Sequence, residues 1–154
     1  MKGITRMANI GLYGSIGITL ITLAFYYLCE YRFYINNHSF RWILIAGAVL
    51  AVADVSIVLL NIKKQPSRIR QLDNLTGKVE SYLSLVQAIY RTTLGVVVAE
   101  CAIIILIHDT RLLMLIIIMV LMMILCYPNM YKVKVDLALD DDEMKRLYGD
   151  KYTA

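Results

Sequence analysis

Two carboxylates stand where a lipid-facing segment has no ordinary use for them. Glu100 interrupts VVVAECAIIILI (96–107), and Asp54 interrupts LAVADVSIVLL (50–60). A charged group near a bilayer centre costs several kcal/mol, and such residues commonly mark proton or ion pathways. Ser56 and Asn61 follow Asp54 closely enough to share an interior polar site with it. No basic residue occupies the middle of either apolar stretch. Each acid is therefore either protonated and hydrogen-bonded to a Ser, Thr or Tyr, fixing helix register, or met by a counter-charge from a bound ion or another subunit. A transporter or channel built on the two acids predicts carboxylates that face a polar cavity.

A second set of titratable residues falls at segment ends. Glu30, His38, His108 and Asp109 could converge into an outer-rim carboxylate–histidine site for acid–base chemistry or a metal. No H-x-x-H or H-E-x-x-H spacing, Gly-rich phosphate loop or nucleophile elbow accompanies them. No catalytic residue, metal site or cofactor is assigned, and enzyme activity is not the expectation. Cys29, Cys101 and Cys126 are isolated from one another and read as small hydrophobes in helices.

The elements that hold these residues follow from composition. Of 154 residues, 59% are hydrophobic and 18% charged, and the mean hydropathy is +0.62. Soluble domains are nearer half apolar and a quarter charged. The charges here are bunched between long apolar runs, the pattern of an integral membrane protein. Four spans are expected, at about 9–29, 41–61, 85–107 and 112–127, within a transmembrane domain 1–130. The apolar stretch of the first is too long for the h-region of a signal peptide, so it is read as a retained span. Pro128 ends or kinks the fourth. The fold class is an all-α four-helix membrane bundle.

The threading follows from Lys and Arg. Thirteen lie in the N-terminus, the 62–84 connection with Arg91, and the tail 131–154; only Arg32, Arg41 and Arg111 lie on the other side. The positive-inside rule then places both termini in the cytoplasm, with a bacterial inner membrane as the setting. The net charge of +4 suits anionic lipid headgroups and needs no nucleic acid. On this threading Asp54 lies about 20 Å, and Glu100 about 10 Å, from the outer ends of their spans. The two differ in height by about 10 Å and do not pair directly.

Small residues recur at four-residue spacing: Gly11, Ser15 and Thr19; Gly47 and Ala51; Gly95 and Ala99. Such stripes let helix backbones approach. The fourth span has none and is read as the most lipid-exposed helix, or as one docked on a partner.

Two features lie outside the spans. Leu72, Leu75, Val79, Tyr82, Val86 and Ile89 are spaced 3, 4, 3, 4 and 3, an a/d seam. It predicts a cytoplasmic extension of the third helix, with Gly77 as a weak point, lying in the membrane interface or folded on the tail, or in contact with a partner or second copy. KVKVDLAL (132–139) alternates strictly and predicts a strand whose free edge could receive another chain. DDDEMKRLYG (140–149) predicts a short helix capped by Asp140 or Asp141 and ended by Gly149. The seam and the strand make an accessory or scaffolding subunit, joined to a protein partner or to its own copies, the leading expectation. The proton- or cation-coupled transporter is the alternative, and the outer-rim enzyme is third.

Overall fold

A computed structural model describes residues 2–28, 37–107 and 111–149. All regular structure in them is helical: α1 (Lys2–Leu28), α2 (Asn37–Arg70), α3 (Leu75–Ile107), α4 (Leu113–Leu125), α5 (Met130–Leu137) and α6 (Asp141–Tyr148). Stretches of α1, α2 and α3 are long and apolar enough to cross a membrane. α4 joins them only if it forms one broken span with α5, to which it is bent by 76°. The chain is an integral membrane protein.

α3 is the central element and packs against α1, α2, α4 and α5. α4 in turn touches α1, α2 and α3, so α1 and α2 flank the α3–α4 pair. Two apolar clusters stack along the axis. Ala51, Val97, Cys101, Ile104, Leu112, Ile116 and Met119 form one. Val58, Tyr82, Val86, Ile89, Met123, Val133, Leu137 and Met144 lie in the other, nearer the basic end. The outward faces remain apolar, with Leu20, Ile21, Val49, Val52, Ile57, Ile117 and Leu121 among the exposed side chains. In water such a surface would drive aggregation, whereas against lipid tails it costs nothing.

The small-residue stripes place the helices closely at two points. A Cβ on Gly11 would lie 2.6 Å from Tyr90 Cδ1, so α1 seats its backbone directly on the Tyr90 ring. Ser15 is buried beside it; its hydroxyl donates to the Gly11 carbonyl and lies 3.5 Å from the Met123 sulfur. Gly47 and Ala51 do the same for α2. Gly95 does not: its Cα faces open space. α4 buries Ile116, Met119 and Met123 and exposes Met114, Ile117, Ile118 and Leu121.

The connection 62–84 differs from the expectation. α2 does not stop near 61 but continues through Pro66 to Arg70, and α3 starts at Leu75. Pro66 has no N–H to give the Ile62 carbonyl, and the helix runs on only four residues beyond it. Asn74 caps the start of α3, its side chain accepting from the Thr76 N–H at 3.0 Å. Gly77 falls in the first turn and does not interrupt it. Both helices therefore project past the apolar zone as a tight antiparallel hairpin. Seam residues Tyr82, Val86 and Ile89 are buried and Leu75 and Val79 pack beside them, while Leu72 is exposed in the turn. The buried part of the seam packs within the chain, in the cluster that also holds Val133, Leu137 and Met144 of the tail.

The predicted strand is a helix. α5 replaces it because Asn129 caps the segment, accepting from the Lys132 N–H at 2.7 Å, and the described residues include no strand to pair with. A helix satisfies its own backbone groups, which a lone strand cannot. Val133 and Leu137, four apart, face the core; Val135 turns outward and Leu139 packs from beyond the helix end. Ala138 reverses the chain in the left-handed region at φ 50°. The last helix matches its expectation: Asp140 and Glu143 form a reciprocal capping box, and Gly149 ends α6 at φ 60°.

The tail is docked rather than loose. Arg70 donates from Nε to the Asp136 carbonyl at 3.1 Å and from Nη2 to the Val135 carbonyl at 2.8 Å, capping the end of α5. The Tyr82 hydroxyl donates to Asp136 Oδ2 at 3.0 Å. Lys132 Nζ donates to the Leu125 carbonyl at 2.7 Å, closing the end of α4, and Lys134 pairs with Asp141. An eight-residue helix is marginal alone. Burial of Val133, Leu137, Leu139 and Met144, each contributing about 1.5–3 kcal/mol, is what holds the tail in place.

Candidate functional site

The two interior acids lie on one seam between antiparallel α2 and α3. Gly47 on α2 faces Glu100 on α3: a Cβ there would stand 3.0 Å from Oε2 and 3.4 Å from Oε1. Asp54, seven residues further along α2, lies beside Thr93, seven residues back along α3. Seven residues are two helical turns, so the sites are separated by about 10 Å along the helices. The height difference expected from the sequence is thereby reproduced, and the acids do not touch.

Their surroundings differ from the polar cavity a conduit would need. Glu100 is 0% exposed. Neither of its carboxyl oxygens has a hydrogen-bond partner. Around it lie the α2 backbone at Gly47 and the cluster containing Val97, Ile104, Leu112 and Ile116. The same Cβ position at Gly47 is 3.1 Å from Leu112 Cδ1, so Leu112 closes the space on the side of the α3–α4 connection. Asp54 is 5% exposed and Oδ2 is unpartnered. Thr93 is close enough to interact with it, but the Thr93 hydroxyl makes no well-formed hydrogen bond. Buried polar groups are nearly always paired, so these orphaned oxygens require an explanation.

The companions expected for Asp54 do not join it. Ser56 is exposed and donates to the Val52 carbonyl of its own helix at 2.7 Å. Asn61 is half-buried two turns away. The polar neighbour is Thr93, which stands four residues past Ile89, on the line that continues to Val97 and Glu100; that extension of the seam is the signal that finds it. Gly47 was visible as a packing residue, but its role as the wall of the Glu100 site depends on the α2–α3 register.

Of the outer-rim set, Glu30, His108 and Asp109 lie outside the described residues, and His38 is described only as backbone in the first turn of α2. Among the described residues no group of three His, Cys, Asp or Glu could hold a metal ion. Cys101 and Cys126 are buried free thiols. An apolar groove of about 180 Å³ between α1 and α4 is lined by Ile16, Thr19, Leu20, Ile116, Val120 and Leu121 and includes neither acid.

Fold and site together define a class: an integral membrane protein whose polar centre is a pair of sealed carboxyls. Comparison with protein-family models, with curated proteins and with solved structures finds no match to this chain.

Proposed function

We propose that the chain is a four-span inner-membrane protein, with both termini cytoplasmic, that binds a proton or small cation at Glu100 and Asp54 as a compact coupled transporter. The carrying observation is Glu100: fully buried, with both carboxyl oxygens unpartnered. A carboxyl that only fixed helix register would be hydrogen-bonded, since leaving it orphaned costs about 1–3 kcal/mol or more. A second orphaned acid two turns away on the same seam supplies the next station. Neither acid faces the polar cavity that a transporter or channel predicts, so on this reading the conformation described is an occluded one. Transport requires α2 to part from α3, and the α2–α3 seam is the surface on which Gly47 and Ala51 permit close approach.

The accessory-subunit reading is second. The seam and the tail, which suggested it, bury much of their apolar surface inside the chain; the sealing of both acids and the outward apolar face of α4 support it. Reconstitution into vesicles separates the two. With an imposed ion gradient, wild-type protein is expected to acidify pyranine-loaded vesicles or to accumulate sodium-22. Glu100→Gln is expected to abolish this and Asp54→Asn to reduce it. Rates equal to those of empty vesicles, with a stoichiometric partner in native mass spectrometry of gently extracted protein, would establish the subunit reading instead.

A further inference from the structure

Resting on the coupled-transporter reading, the geometry points to a proton, and not a metal cation, as the ion bound at Glu100. A desolvated metal ion needs a shell of oxygens: about six for Mg²⁺ and six to eight for Ca²⁺. Glu100 supplies two. The facing wall is Gly47, where an added Cβ would stand 3.0 and 3.4 Å from the two carboxyl oxygens and 3.1 Å from Leu112 Cδ1. Its backbone sits inside α2, where the carbonyls are engaged in the helix ladder. Leu112, Val97, Ile104 and Ile116 offer carbon. Thr93 is two turns away, beside Asp54, and the Ser15 hydroxyl donates within α1. The space at Gly47 is about that of one methyl group, walled by the carboxyl and Leu112, and it offers a metal ion no further oxygens. A proton needs neither a shell nor space, and it removes the charge by bonding to one carboxyl oxygen.

The groups packed around Glu100 leave it to titrate with few competitors. Among the described residues, α2 carries Arg41, exposed and six residues before Gly47, and Asp54, seven after it; Arg111 directly precedes Leu112, and Leu112–Met119 holds no titratable group. Cys101 is its neighbour on α3, and Tyr26 of α1 packs against the same cluster. No lysine or arginine lies in that cluster.

Infrared difference spectroscopy on the full chain in lipid nanodiscs reads the protonated-acid carbonyl stretch directly. Spectra are taken between about pH 4 and pH 10, bracketing the range over which perturbed carboxyls titrate. The expected result is a band that disappears as pH rises, is absent in Glu100→Gln, persists in Asp54→Asn, and does not respond to Na⁺, K⁺ or Mg²⁺ at fixed pH. Gly47→Ala is expected to displace its midpoint, and Gly95→Ala, where an added Cβ meets nothing within 4 Å, to leave it in place. A band that shifts on adding a metal cation at fixed pH overturns the proton assignment and leaves the interior ion site standing. A Glu100 band constant over the whole range overturns both, because the acid then never exchanges its proton.

Discussion

Gly11→Ala tests the packing on which the interior depends. The added Cβ would stand 2.6 Å from Tyr90 Cδ1 and 2.9 Å from Tyr90 Cβ. Tyr90 cannot swing aside: its Cβ is fixed to α3, and its hydroxyl donates to the Met123 carbonyl at 2.7 Å. The helices must therefore separate. Overpacking of this kind costs about 1–3 kcal/mol. Loss of the Tyr90 bond adds about 1 kcal/mol, while the better helix propensity of Ala returns about 1 kcal/mol. The net is a destabilisation of about 1–3 kcal/mol. Gly17→Ala on the same helix meets nothing within 4 Å and should gain up to about 1 kcal/mol. Two chemically identical substitutions, two turns apart, are thus expected to differ by about 2–4 kcal/mol. Gly14→Ala, 3.6 Å from Leu94 Cδ1, belongs between them. Reversible unfolding in mixed micelles, titrated with dodecyl sulfate, reads the difference. Equal midpoints for Gly11→Ala and Gly17→Ala would refute the close α1–α3 approach.

Glu100→Met replaces an unpartnered buried carboxyl by an apolar side chain of similar length, and is expected to raise stability in the same assay by about 1–3 kcal/mol while abolishing ion uptake; a fall in stability would mean the carboxyl is bonded after all. Arg70→Ala removes both donors that close α5 and should weaken tail docking by about 1–3 kcal/mol, seen as faster proteolysis after Leu125 with the helices intact. Alkaline pH should release the tail too. Burial, and the Asp136 carboxylate facing it, push the Tyr82 phenol up, and burial pushes Tyr148 up. Groups raised above their ordinary 10.0 in the folded state leave stability unchanged below that pH and lower it as pH rises above it. Tail proteolysis is expected to rise beyond about pH 10 in the wild type and less steeply in Tyr82→Phe, and an equal rise in both would contradict the coupling.

The spans and the acids were legible because their signal is local. An apolar run of twenty residues announces itself, and a carboxylate inside it stands out without any partner being known. The capping box of α6 was legible for the same reason, with Asp140 and Glu143 three residues apart. What depends on a second element was not. Thr93 becomes Asp54's neighbour only when α2 and α3 are set antiparallel in one register. The alternating 132–139 segment fits a strand by its own pattern, and the absence of a strand to pair with, among the described residues, decided it as helix. Arg70 reads as one cation among thirteen until α5 lies across it. The inward bias of the seam was visible, and the tail stood among its possible occupants, but nothing in the spacing chose the tail over a partner.

The shortness of α4 bears on the lipid around it. Its 13 residues reach about 20 Å, some 10 Å less than a typical hydrocarbon core. The chain turns through 76° immediately afterwards, and Lys132 is tied to the last carbonyls of α4, so the helix cannot be lengthened by recruiting α5. On the four-span reading, the membrane must become thinner where α4 faces lipid. α2 and α3, at 34 and 33 residues, impose no such limit. On that reading the protein is wedge-like in its demand on bilayer thickness, shallow on the α4 side and deep on the other. That asymmetry would favour thin or deformable membrane, or neighbours carrying an equally short helix.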